Sequence, residues 1–95
     1  MGPKTRQLVE TLDELAAVLA DIGEPHWRDW MHESAGRLRA GDSTGITHLL
    51  KAYGGMGSFN DLVFDGSDSL ARRAEDLRER AWTLASEIHR EVRAE

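Results

Sequence analysis

Tyr53-Gly54-Gly55-Met56-Gly57-Ser58-Phe59-Asn60-Asp61-Leu62-Val63-Phe64 is the stretch on which the fold class turns. Its last three residues, Leu-Val-Phe, have strand character. A lone strand has nothing to pair with, and no second strand pattern occurs in the chain. Read as a turn, the segment joins two helices. Three of the nine glycines fall at positions 54, 55 and 57. Glycine serves where the backbone needs positive φ or close approach. Ser58 followed by Asp61 resembles a shortened capping box, which predicts a short helical turn over Phe59–Phe64.

Outward from this turn the sequence is amphipathic helix. Leu8, Leu12, Leu15, Leu19 and Ile22 recur at spacings of four and three, which predicts a helix over about Lys4–Ile22, capped by Gly23. Asp13 and Glu14 lie off that stripe. A second helix opens at Pro25 and ends at Gly41, with Trp27, Trp30, Met31, Ser34, Ala35 and Leu38 on one face. Trp27 and Trp30 are expected along a seam with the last helix. Asp42 or Ser43 caps a third helix carrying Ile46, Leu49, Leu50 and Tyr53, stopped by Gly54. The last helix, about Ser69–Arg93, sets Leu70, Ala74, Leu77, Ala81, Leu84 and Ile88 in a heptad-like stripe. Trp82 and Val92 widen it. Arg72–Asp76, Asp76–Arg80 and Glu75–Arg78 are spaced as helical ion pairs.

These elements predict one all-α domain over residues 1–95, a compact four-helix bundle with a glycine-rich turn and a short helical turn before the long last helix. Cysteine is absent, so disulfides and thiolate metal sites are excluded. No segment has the roughly 18 uncharged apolar residues of a membrane span. Acidic residues bracket the longest apolar run, Leu15–Ala20, which argues against a signal peptide and for a cytoplasmic setting. The net charge is −5, and it concentrates beside the turn. Residues 42–71 hold Lys51 against Asp42, Asp61, Asp65 and Asp68. A nucleic-acid binder needs a basic stripe, and none is present. An acidic patch favours a basic partner.

These residues bear on several chemistries. A phosphate loop follows a strand and ends in Lys-Ser/Thr, whereas this turn follows a helix with Lys51 upstream. Asn60, Asp61, Asp65 and Asp68 lack calcium-loop spacing. His26, Asp29 and His32 share a helix face but not a zinc motif. Arg28 and His32 are loosely reminiscent of helical ribonuclease sites, at a spacing one residue short. No cofactor is expected. Asn60 and Asp61 are expected to bond the turn's own backbone, with the Tyr53 hydroxyl closing the network, and Gly57 to give Phe59 room to tuck inward.

Tyr53 through Leu62, with Leu49-Leu50 before and Val63-Phe64 after, resembles the hallmark of a family of small bacterial domains of unknown function. The likeness is close over the decapeptide and loose from about Thr44 to Ile88, and the N-terminal third adds nothing to it. The resemblance implies a bacterial origin and a hallmark of Tyr53, Gly54, Gly55, Gly57, Ser58, Asn60 and Asp61. It supplies no activity.

The sequence therefore points to a non-enzymatic protein-interaction module, regulatory or immunity-like, presenting the acidic turn 54–68 to a basic protein partner. The candidate binding residues are Tyr53, Gly54, Gly55, Gly57, Ser58, Asn60, Asp61 and Asp65. The alternative is a small-ligand or anion site on Gly55–Ser58 with weak hydrolase activity. A homodimer through the last helix is compatible with its balanced charge.

Overall fold

The computed structural model describes residues 1–54 and 57–94, and four α-helices account for most of them. They are α1 (Pro3–Ile22), α2 (Pro25–Arg39), α3 (Thr44–Leu50) and α4 (Asp68–Ala94), with 3-10 turns at Lys51–Tyr53 and Phe59–Asp61. No strand occurs among the described residues. The all-α helical bundle expected from periodicity is the observed architecture.

The helices stop where local chemistry stops them. Gly23 takes φ 92°, a left-handed cap whose N–H bonds back to Leu19 and Ala20 carbonyls. Pro25 stands at the first position of α2, where its missing N–H costs nothing. Ser43 stands at the N-cap of α3 without a side-chain bond, and Asp42 before it supplies one: its Oδ1 accepts from the Thr44 N–H at 2.9 Å and the Thr44 hydroxyl at 2.7 Å. These bonds hold the Asp42 carboxyl below its ordinary pKa, the hydroxyl bond first. Ser67 Oγ caps α4 by accepting from the Leu70 N–H.

α1 is the central helix, packed on α2 along one side and α4 along the other, while α3 bridges α2 and α4. That placement explains why α1 buries more than its leucine stripe: Val9, Thr11, Ala16 and Val18 are buried as well. Asp13 and Glu14 lie at the margins of this buried arc. Asp13 pairs with Arg39 on α2, and Glu14 with Arg73 on α4 at 2.6 Å. Near the N-terminus, Lys4 pairs with Glu91 and, at 3.5 Å, with Glu87.

Where α2 meets α3 the backbones come close. A Cβ built on Gly45 would lie 2.8 Å from Leu38 Cγ and 2.9 Å from the Ser34 carbonyl oxygen. The same crossing carries a polar clamp. Trp30 Nε1 donates to the His48 carbonyl at 2.9 Å, and the Trp30 and His48 rings stack at 4.3 Å. Ser34 Oγ, fully buried, lies 2.7 Å from His48 Nδ1 and 3.1 Å from the Trp30 carbonyl.

The tryptophans therefore depart from the expected seam with the last helix. Trp27 packs on Trp30 at 5.7 Å and on Phe59 at 5.1 Å, facing α3 and the turn. Trp82 and Val92 do not form one widened stripe either. They open on two separate grooves, Val92 beside Met1, Ile46 and Ile88.

Candidate functional site

Phe59 is the anchor of the turn. It is fully buried and meets Trp27, Tyr53 and Phe64 with ring centroids 5.1–5.9 Å apart. The backbone reaches it through Gly57, whose φ of 76° lies in the left-handed region that favours glycine. A Cβ at Gly57 would meet nothing within 4 Å among the described residues. The glycine thus sets direction, not the room for Phe59 that the sequence suggested. Gly54 takes φ −105° and ψ 113°, an extended conformation open to any residue. Gly55 lies outside the described residues.

The helical turn that follows is shorter than the expected Phe59–Phe64. It is the 3-10 turn Phe59–Asp61, closed by the Asp61 N–H on the Ser58 carbonyl and the Leu62 N–H on that of Phe59. The capping box does not form. Ser58 makes no side-chain cap, and its hydroxyl is buried with no partner among the described residues. Asn60 and Asp61 are exposed, and neither side chain bonds the turn backbone among the described residues. Leu62 continues in extended conformation, with Val63 81% exposed and Phe64 buried, but without a ladder.

The brace comes from α4. Arg78 Nη1 donates to the Phe59 carbonyl at 3.0 Å and the Leu62 carbonyl at 2.7 Å. Its guanidinium carbon lies 4.6 Å from the Phe64 ring centroid, within cation–π range. The Tyr53 hydroxyl donates to the Arg78 carbonyl at 2.7 Å. Burial pushes the Tyr53 phenol well above its ordinary pKa, against a smaller opposing pull from Arg78, so it remains a donor throughout the physiological range. The network expected inside the turn is instead a tie between the turn and a helix some twenty residues on. The helical spacing of Glu75 and Arg78 does not yield an ion pair: with the guanidinium committed to carbonyls, Glu75 makes none among the described residues.

Between the turn and α4 lies an open groove of about 430 Å³, lined by Tyr53 and Asn60 on one side and Glu75, Arg78, Glu79 and Trp82 on the other. Trp82 is 48% exposed. Glu79, like Glu75, makes no ion pair among the described residues. Of the sequence candidates, Tyr53 and Asn60 line this groove. Gly57 and Ser58 shape the turn behind it, Gly54 precedes the turn, and Asp61 and Asp65 are exposed alongside. The α4 wall was missed. The signal available for it was the like-charged Glu75/Glu79 pair at i, i+4, which costs helix stability unless something cationic relieves it.

The other constellations do not converge. His26, Asp29 and His32 are exposed, and Asp29 pairs with Arg28 at 3.0 Å. Among the described residues, no group of three or more His, Asp or Glu side chains is placed to hold a metal ion. Among them, too, no helix is long and apolar enough to cross a membrane.

No curated protein and no solved structure matches the chain. A family model does, over residues 20–72. The match takes in α2, α3 and the whole turn, so it reaches further toward the N-terminus than the decapeptide resemblance. It stops in the first turns of α4: Tyr53 and Asn60 fall inside it, and Glu75, Arg78, Glu79 and Trp82 beyond it. Spanning more than half of the 95 residues, the match shows that the chain belongs to the family described as Domain of unknown function (DUF6966).

Proposed function

We propose that this chain is a non-enzymatic protein-interaction module whose recognition surface is the groove between the glycine turn and α4. The observation that carries the reading is the half-exposed Trp82 beside Glu75 and Glu79, which make no ion pair among the described residues, in a groove of about 430 Å³ that Tyr53 and Asn60 line opposite. Tryptophan concentrates binding energy at interfaces because its large apolar face is desolvated by a partner. The turn adds Asp61, Asp65 and Asp68 with no basic residue between 54 and 68. Such a surface attracts a basic partner and makes its association fast and salt-dependent. A regulatory or immunity-like role in a bacterial cytoplasm is the setting this reading suits.

The test is affinity capture from a bacterial lysate at low and high salt, comparing wild type with Trp82→Ala and Asn60→Ala after circular dichroism shows both folded. A specific partner retained by wild type and lost by folded Trp82→Ala supports the module. A partner held equally by both variants removes the groove as its recognition surface.

A further inference from the structure

Glu75 and Glu79 stand one helical turn apart, with Trp82 three residues further along α4 and the Asn60 amide across the groove. Like charges at this spacing destabilise a helix, and neither carboxylate makes an ion pair among the described residues. Arg78, which also lines the groove, spends its Nη1 on the Phe59 and Leu62 carbonyls. The lining therefore offers carboxylate acceptors, an aromatic face and an indole N–H that makes no hydrogen bond among the described residues, beside one cation, Arg78, whose Nη1 is committed to two carbonyls.

A bare divalent cation does not use this combination. It demands several oxygen ligands, and an indole wall gives it none. A guanidinium uses all of it. Its N–H fork pairs with carboxylates, its plane stacks on tryptophan, and it sheds water more readily than an ammonium. The groove volume lies within the range of about 300–1,000 Å³ typical of ligand pockets, so a side chain enters with its flanking backbone.

Resting on the interaction-module reading, we propose that the groove is an arginine-binding site: a partner's arginine side chain stacks on Trp82 and pairs with Glu75 and Glu79, while Asn60 accepts from or donates to its backbone.

The experiment is a ¹H–¹⁵N titration of the full chain with acetyl-arginine amide, and in parallel with acetyl-citrulline amide, its uncharged near-isostere. The expected result is a saturable shift of the Trp82 indole N–H and the Asn60 side-chain amide. The citrulline probe should bind about tenfold more weakly or less, the ratio set by a single lost charged contact. The double variant Glu75→Gln/Glu79→Gln, altered only at exposed positions, should keep its fold and lose the preference for arginine. Equal affinity for the two probes, or an arginine preference that survives the double variant, overturns the assignment. So does an indole resonance that arginine leaves unmoved. If a partner is nevertheless captured through Trp82, the interaction module stands and only the arginine assignment falls.

Discussion

Arg78 reaches from α4 to the carbonyl of Leu62 at 2.7 Å, and that contact, with its twin to Phe59, holds the turn against the bundle. The Phe59 carbonyl also closes the 3-10 turn by accepting from the Leu62 N–H, whereas the Leu62 carbonyl has no other partner among the described residues. An unpaired buried carbonyl is costly, so one side chain from α4 meets a need created by the motif.

Replacing Arg78 should therefore loosen the turn more than a surface charge change would. Arg78→Ala is expected to cost about 2–3 kcal/mol, the range for losing charge-assisted bonds to partly buried acceptors. Arg78→Lys should recover only part of it, because an ammonium does not reproduce the guanidinium plane that lies 4.6 Å from the Phe64 ring centroid. Tyr53→Phe, which removes a donor to a carbonyl already used within α4, should cost about 1 kcal/mol or less. Urea unfolding followed by tryptophan fluorescence measures all three. An Arg78→Ala cost no larger than that of Tyr53→Phe would refute this ordering.

The glycines of the turn should separate sharply. Gly57 has φ 76° and Gly54 has φ −105°. Gly57→Ala forces a Cβ into the left-handed region and should destabilise by about 1–2 kcal/mol. Gly54→Ala, with nothing within 4 Å of its Cβ among the described residues, should be neutral or slightly stabilising, because it restricts the unfolded chain. Thermal unfolding of the two variants decides it, and equal losses would contradict the assigned conformations.

The difference between those glycines was not legible in the sequence, where both belong to one dense cluster. Hydrophobic spacing did reveal the helices, because each of Leu8 to Ile22 and Leu70 to Ile88 reports only its own 3.6-residue period. The turn was also located, since glycine density marks it. What the sequence hid were long-range choices. Arg78 had a plausible local partner in Glu75, and only the packing of the turn on α4 shows two carbonyls outcompeting it. Trp30 reads as a generic core residue, yet its N–H is committed to His48 across a helix crossing. Asn60 looked like internal bracing and instead faces a groove whose other wall lies about one helical turn or more beyond the end of the family match.

A second pair of glycines tests the α2–α3 crossing. Gly45→Ala places its methyl 2.8 Å from Leu38 Cγ and 2.9 Å from a backbone oxygen that cannot easily give way. Overpacking of this kind costs about 1–3 kcal/mol, enough to outweigh the gain of up to about 1 kcal/mol in helix propensity. Gly36, on the exposed side of α2, has nothing within 4 Å of a built Cβ, so Gly36→Ala should stabilise by that propensity gain alone. Opposite signs in chemical denaturation are the expected outcome; a stabilised Gly45→Ala would mean the crossing is looser than its geometry indicates.

His48 should give the fold a measurable sensitivity to mild acid. Its pKa is held below the ordinary value of 6.5, first by burial, then by Arg37 and Lys51, with Glu33 pulling the other way. The unfolded imidazole takes up its proton near 6.5, whereas the folded one does so only at lower pH. Unfolding is therefore favoured by proton uptake. The stabilising contribution is complete above pH 6.5 and is lost as the pH falls from there toward the folded value. The melting temperature of wild type should decline between about pH 7.5 and about pH 5.5, where histidine titrates. His48→Gln should melt lower at the upper pH, having lost the stack on Trp30 and the contact with Ser34, but its decline should be shallower. Calorimetry of both proteins across that range supplies the comparison. Parallel slopes would place the acid sensitivity outside the Ser34–His48–Trp30 clamp.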